Sequence, residues 1–336
     1  MQIQRDLLQA IRLAGDECLA NGITSFQDAG ASLAEVDLFR ELAERDELDV
    51  RLWVMLNDPN AVLANRLSEY RLVGVGNHHL TVRAIKRMVD GALGTHGAWL
   101  LSAYDDLPSG IGHNTTSVAS LQQSGKLALE NGFQLCVHAI GDRANREVLD
   151  LFEFGIKVRG KDLRWRIEHA QHIAPNDIAR FGTLGVIASM QGVHCTSDAP
   201  FVIERLGQRR AQSGAYAWRS LLDQGAVVIN GTDAPVERID PFACIYSSVT
   251  RKLPNGVAFF PEQCMTRGEA LRSYTRDAAF AAFEERIKGS LAPNMLADIV
   301  VLSHDLLTIP EEVIPSTRVH YTIVGGQIKY EGENGR

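Results

Sequence analysis

Four side chains in this 336-residue sequence have the types and placement to hold a metal ion. They are Lys86 in "VRAIKRMVDG", His138 in "QLCVHAIGDRAN", His169 in "RWRIEHAQH" and Asp233 in "VVINGTDAPV". An apolar, strand-like run carries each group or leads to it, and turn-forming residues follow. Singly, each has an ordinary reading. His138 could be a satisfied core histidine, and Lys86 part of a solvated edge with Arg83 and Arg87. His169 could pair with Glu168, and Asp233 could be a turn or helix-cap aspartate. Together, two imidazoles, a carboxylate and a lysine at one end of parallel strands form a ligand set for a divalent metal such as zinc. A lysine ligates only without its proton. Burial among Ile85, Met88 and Val89 would lower the pKa of Lys86 and expose a neutral amine. A neutral amine takes up carbon dioxide to become a carbamate, an anion with two ligand oxygens.

Such groups need strands to align them. Seven strand-like runs alternate with helical patterns: Ile23–Phe26, Val50–Leu56, Val82–Val89, Gln134–Val137, Arg164–Glu168, Gly185–Met190 and Ala226–Ile229. Several are continuously apolar, as expected of parallel strands covered on both faces. The pattern predicts an α/β fold with right-handed crossovers. Seven strands after an opening helix fit a (β/α)8 barrel whose first strand is absent; a doubly wound open sheet is the alternative. The opening helix aligns Leu7, Ile11, Ala14 and Cys18 and stops at Asn21-Gly22. Capping boxes are predicted at Ser32–Glu35 and Thr266–Glu269, and Gly91–Asn114 is the longest irregular stretch. Glu284, Glu285 and Arg286 read as a solvated helix end. Beyond residue 286, "ADIVVLSHD" and "RVHYTIVGGQIKYEG" predict short strands and a hairpin turning at Gly325-Gly326. The expected division is 1–286 for the barrel and 287–336 for a small β module.

Composition excludes several classes. A net charge of −7 with no lysine/arginine run does not suit nucleic acid. No apolar run approaches the roughly 20 residues needed to cross a bilayer. Five scattered cysteines without a CxxC pair suit reduced thiols, and no secretory signal opens the sequence. These features lead to the expectation of a cytoplasmic protein acting on a small molecule.

Taken together, "IKRMVDGALG", "VHAIGDRAN", "RIEHAQHI", "GVIASMQGVHCTSDAPF" and "NGTDAPVERIDPF" resemble the metal-dependent amidohydrolase superfamily, in the branch of N-substituted formamide deformylase. The resemblance implies a barrel with a β-sandwich side domain, and hydrolysis of amide-type C–N bonds outside peptides. It implies that Lys86 is a carbamylated bridging ligand, that His138 and His169 hold one metal, and that Asp233 is ligand and proton shuttle. His194, in "GVHCTSD", matches a position near the substrate. The family's His-x-His pair is absent; His78-His79 are adjacent and read as loop histidines. His96 stands where relatives carry arginine. One zinc per chain is therefore expected, against two in full-length relatives. Self-association through uncovered strands is expected too. The alternative function is a non-catalytic remnant that only binds a ligand or partner.

Overall fold

The computed structural model describes residues 2–332. Its main sheet contains β1 (Ser25–Ala31), β2 (Arg51–Leu56), β3 (Leu72–Gly74), β4 (Leu80–Met88), β5 (Gln134–Ala139), β6 (Arg166–His169), β7 (Ile187–Met190) and β8 (Val228–Asn230). Every residue of β5, β6 and β7 is buried. That is the reason their sequences are apolar without alternation: helices cover one face and the sheet's own concave interior covers the other. All seven expected strands are present. The short β3, which pairs antiparallel with β4 through Leu72 and Val82, was not expected.

The parallel strands lie in the order β1-β2-β4-β5-β6-β7-β8, each beside its predecessor. A doubly wound sheet reverses direction at a switch point; this one never does, so it curls into part of a barrel. Among the described residues β1 and β8 do not pair with each other.

One segment explains how the curl is held. The helix Arg276–Ala281 and the turn after it lie across the amino-terminal ends of the strands. Gln27 of β1 donates to the Ala278 carbonyl at 3.3 Å, Trp53 of β2 to Ala282 at 3.2 Å, and Gln134 of β5 to Ala281 at 3.0 Å. Thr81 of β4 donates to Glu284 at 2.8 Å, and Arg164, just before β6, grips Glu285 through two bonds of 3.0 Å. Glu284 is buried. The reading of Glu284–Arg286 as a solvated helix end is thus corrected for both glutamates: they close the floor of the curled sheet.

A second, antiparallel sheet is formed by β9 (Ile299–Leu302), β10 (Val319–Val324) and β11 (Gln327–Glu331), in the order β11-β10-β9. The hairpin turn sits at Gly325 and Gly326, both with positive φ (58° and 81°), the conformation a tight two-residue connection requires. The helix Gln2–Ala20 packs on this sheet, and Thr322 donates to the Leu19 carbonyl. Its buried end is Cys18 and Leu19, whereas Leu7 and Ala14 are exposed, so the expected stripe is displaced around the helix. The sheet face expected to be uncovered is in part covered: Val319, Thr322 and Val324 are buried, while Val301 and Ile328 are 40% and 60% exposed. A buried bidentate pair, Arg51 to Asp298 at 2.7 and 2.9 Å, joins β2 to the second sheet. Among the described residues both expected capping boxes form, at Ser32/Glu35 and Thr266/Glu269.

Candidate active site

The strand register brings the expected residues to one end of the curl. Met88 of β4 lies beside His138 of β5, and His138 beside Glu168 of β6, one residue before His169. His194 and Asp233 follow β7 and β8. His194, expected near the substrate, lies in the first turn of the helix Gly192–Gly214. His169 and Asp233 both adopt positive φ (73° and 57°). Left-handed backbone at non-glycine residues costs energy and collects where side chains must be aimed for function.

The rings of His138 and His169 meet edge to face at 4.5 Å, and those of His169 and His194 stack at 6.0 Å. One ligand atom each from His169, His194 and Asp233 lie within 4.8 Å of one another. That trio differs from the expected His138–His169–Lys86–Asp233 set: it admits His194 and leaves out His138. His169 Nδ1 is 2.8 Å from Gln191 Oε1, which can only accept, so Nδ1 carries the proton and Nε2 keeps a lone pair. His194 Nδ1 is 3.1 Å from Gln171 Nε2. His194 Nε2 is buried without a hydrogen bond, 3.9 Å from Asp233 Oδ2. His138 Nε2 is likewise unpartnered, 3.5 Å from Asp90 Oδ1.

Electrostatics keep the imidazoles neutral. Burial, then the Lys86 charge, pushes His138 down to about 3. Burial, then competition with His138 for a proton and the Lys86 charge, hold His169 well below the usual imidazole range. Burial also lowers His194. Burial raises the Asp233 carboxyl; Lys86 works against that shift, while Glu168 and Glu237 add to it. Neutral imidazoles are the form that coordinates a metal.

Lys86 departs from expectation in its surroundings. It is half-buried, not buried, and Met88 on the same face of β4 is 50% exposed. Side chains alternate across a strand, so Lys86 and Met88 line an open mouth, not an apolar pocket. Below Lys86 the interior holds a buried ion pair, Arg166 to Glu168, with Nη2 and Oε2 at 3.1 Å. Burial works to raise the Glu168 carboxyl, but Arg166 overcomes it and holds Glu168 at about 2.

Asp90, at the turn after β4, braces this end of the sheet. It is fully buried and accepts the backbone N–H groups of Trp99, Ile140 and Gly141 at 2.8, 3.0 and 2.8 Å. It thereby pins the long 91–114 loop to the end of β5. His96 in that loop sits 3.1 Å from Asp106, and Asp142 accepts from the Leu101 N–H at 2.8 Å. His79 is buried against the Gly76 carbonyl and takes no part in the site. Sequence reading missed Gln171 and Gln191, because a glutamine amide produces no periodic signal.

The profile of the Amidohydrolase family matches residues 2–330. The chain is 35% identical over 283 residues to "Protein LONG AFTER FAR-RED 3" of Arabidopsis thaliana, covering 84% of this chain and 47% of that protein. It is 24% identical over 336 residues to N-substituted formamide deformylase of Arthrobacter pascens, covering 98% of this chain and 61% of that one. The crystal structure of an uncharacterized metal-dependent hydrolase from Pyrococcus horikoshii matches with a TM-score of 0.80 at 28% identity, over 92% of this chain and 62% of the other. The chain thus spans between 47% and 62% of the length of these relatives. Matched by the profile over nearly its whole length, the chain belongs to the amidohydrolase family.

Proposed function

We propose that this chain is a metal-dependent hydrolase of amide-type C–N bonds outside peptides. One observation carries the reading: ligand atoms of His169, His194 and Asp233 converge within 4.8 Å, the His138 ring meets His169 edge to face, and two of these buried ring nitrogens, on His138 and His194, have no partner. An unpartnered buried polar atom costs roughly 1–3 kcal/mol, so a constellation holding two of them fits an added ligand. Neutral imidazoles beside anionic oxygens suit a divalent cation. In this reading His138 and His169 supply the imidazole ligands. Lys86, as its carbamate, supplies an anionic oxygen, and Asp233 and His194 face the substrate.

A divalent cation held by these residues, zinc in our reading, would lower the pKa of a water toward about 7 and polarise a carbonyl oxygen. Asp233 takes the proton from the attacking water and delivers it to the departing nitrogen. His194 orients the substrate. Gln191 keeps His169 in the tautomer that leaves Nε2 free. Asp90 ties the 91–114 loop to the end of β5, next to His138. The finer expectations stand as part of the same proposal: a barrel region over 1–286 with a β module over 287–336, one zinc per chain, a small-molecule amide substrate, self-association and a cytoplasmic setting.

The test is a zinc-reconstituted assay on a panel of N-formyl and N-acyl amines, with bound zinc measured after dialysis. We expect about one tightly bound equivalent and measurable turnover. Lys86→Ala should lose most of both, and added short carboxylic acids should restore part. Full zinc and full turnover in Lys86→Ala without added acid would overturn the bridging role. A wild-type chain that binds zinc but turns over no amide would be a binding protein instead.

A further inference from the structure

The two stacked imidazoles of the site are held by opposite ends of two glutamine amides. Gln191 presents its carbonyl oxygen to His169 Nδ1, which therefore carries a proton. Gln171 presents its amide nitrogen to His194 Nδ1 at 3.1 Å. An amide nitrogen only donates, so His194 Nδ1 must accept, and the single proton of the neutral ring sits on Nε2. A doubly protonated ring is ruled out by the same contact, since it would set two donors against each other. Both glutamines are buried, at 4% and 7% exposure, so water does not compete for either contact.

From this geometry we infer that Gln171 is a positioning residue that makes His194 a hydrogen-bond donor into the site and excludes it from the metal's ligands. The inference rests on the proposed metal-dependent hydrolysis and gives His194 its role within it. His194 Nε2–H is buried, has no acceptor, and stands 3.9 Å from Asp233 Oδ2, beyond hydrogen-bond reach. A donor kept unsatisfied beside the proton-carrying carboxylate is placed for the substrate's carbonyl oxygen, where negative charge develops as water adds. His169, with the opposite tautomer, offers a lone pair. Two stacked rings that look equivalent in the His169–His194–Asp233 trio are thus chemically opposite: one ligand, one donor.

Long-range 15N–1H spectra of histidine side chains read the tautomer directly, and the metal-free chain has only ten histidines to separate. His194→Ala and His169→Ala spectra assign the two rings. We expect His194 protonated at Nε2 and His169 at Nδ1. Gln171→Glu replaces the donor with an acceptor of the same shape and should move the His194 proton to Nδ1 while leaving His169 unchanged. By freeing Nε2 it should also tighten zinc about tenfold, the usual scale for a residue that orients a ligand. His194→Ala should leave zinc affinity within about twofold, whereas His169→Ala should abolish tight binding. The inference is overturned if wild-type His194 carries its proton on Nδ1, or if His194→Ala loosens zinc as much as His169→Ala does. The wild-type spectrum needs no variant to fold. Absence of zinc binding with the expected tautomers would count against the metal reading and not against the action of Gln171.

Discussion

His172 shows what a buried imidazole outside the site does to this protein. It is 2% exposed, neither ring nitrogen has a hydrogen-bond partner, and its ring meets Tyr216 edge-on at 5.5 Å. Burial alone pushes it from 6.5 down to about 3. The folded state therefore refuses a proton that the unfolded chain accepts. Its contribution to stability is complete above pH 6.5 and is lost as pH falls toward 3. Asp90 has the opposite sign. Burial raises it from 3.8 to about 7, so its contribution is complete at low pH and is lost as pH rises through 7. The two partly cancel in the wild type, so the histidine must be isolated by comparison with a variant. In urea unfolding of the metal-free chain, wild type should lose roughly 1–2 kcal/mol more than His172→Leu between pH 6.5 and pH 5, as the unfolded imidazole goes from half to almost fully protonated while the folded one stays neutral. Equal losses would mean that His172 is solvated or paired.

At the scale of elements, the floor segment after Arg276–Ala281 makes a sharp claim. Glu284→Ala removes the acceptor of buried Thr81 and the partner of Lys288. It should cost about 1–3 kcal/mol, the range for leaving buried polar groups unmet. Glu284→Gln keeps an acceptor for Thr81 and should recover much of the loss. Zinc content should not change, because the floor lies at the opposite strand ends from His138 and His169. A Glu284→Ala chain as stable as wild type in denaturant would restore the solvated reading. This segment also shows why some of the fold was illegible in the sequence. The strands were readable because burial on both faces leaves a contiguous apolar run, as in β5. His138, His169 and Asp233 were readable because they follow such runs directly. Glu284 and Glu285 were misread because their partners, Thr81 and Arg164, lie 203 and 121 residues away in the chain. Pairing at that distance leaves no local pattern. Gln171 and Gln191 fail for the same reason: their meaning is the atom each amide presents, which only the folded geometry fixes. Lys86 sits at the expected position on its strand, but apolar neighbours in sequence point to both faces of β4 and do not make its own face apolar.

For the whole molecule, the question is which uncovered surface governs association. The main sheet offers two edges, β1 and β8, unpaired with each other among the described residues. Both are blunted. β8 is three residues long, and β1 carries Asp28, whose side chain folds back to accept the Gly30 N–H at 2.9 Å. Short strands and charged residues are the usual protection of an edge. The small sheet is less protected. On its outer face Val301 pairs with Tyr321, and Ile323 lies between Ile299 and Ile328. Val301 and Ile328 remain 40% and 60% exposed there. Contiguous apolar surface of this kind favours burial against another chain. We therefore expect this face, not the sheet edges, to drive the self-association proposed above. Light scattering on the chromatographed chain at micromolar concentration should give a mass above that of one chain. Val301→Lys with Ile328→Lys places two charges on the face and should shift the mass toward the monomer while leaving zinc content intact. Ala29→Lys charges the exposed middle of the β1 edge and should shift it little. If Ala29→Lys dissociates the assembly and the double lysine variant does not, the edges are the interface. A wild-type chain that runs as a sharp monomer and stays so on heating would remove both surfaces from consideration.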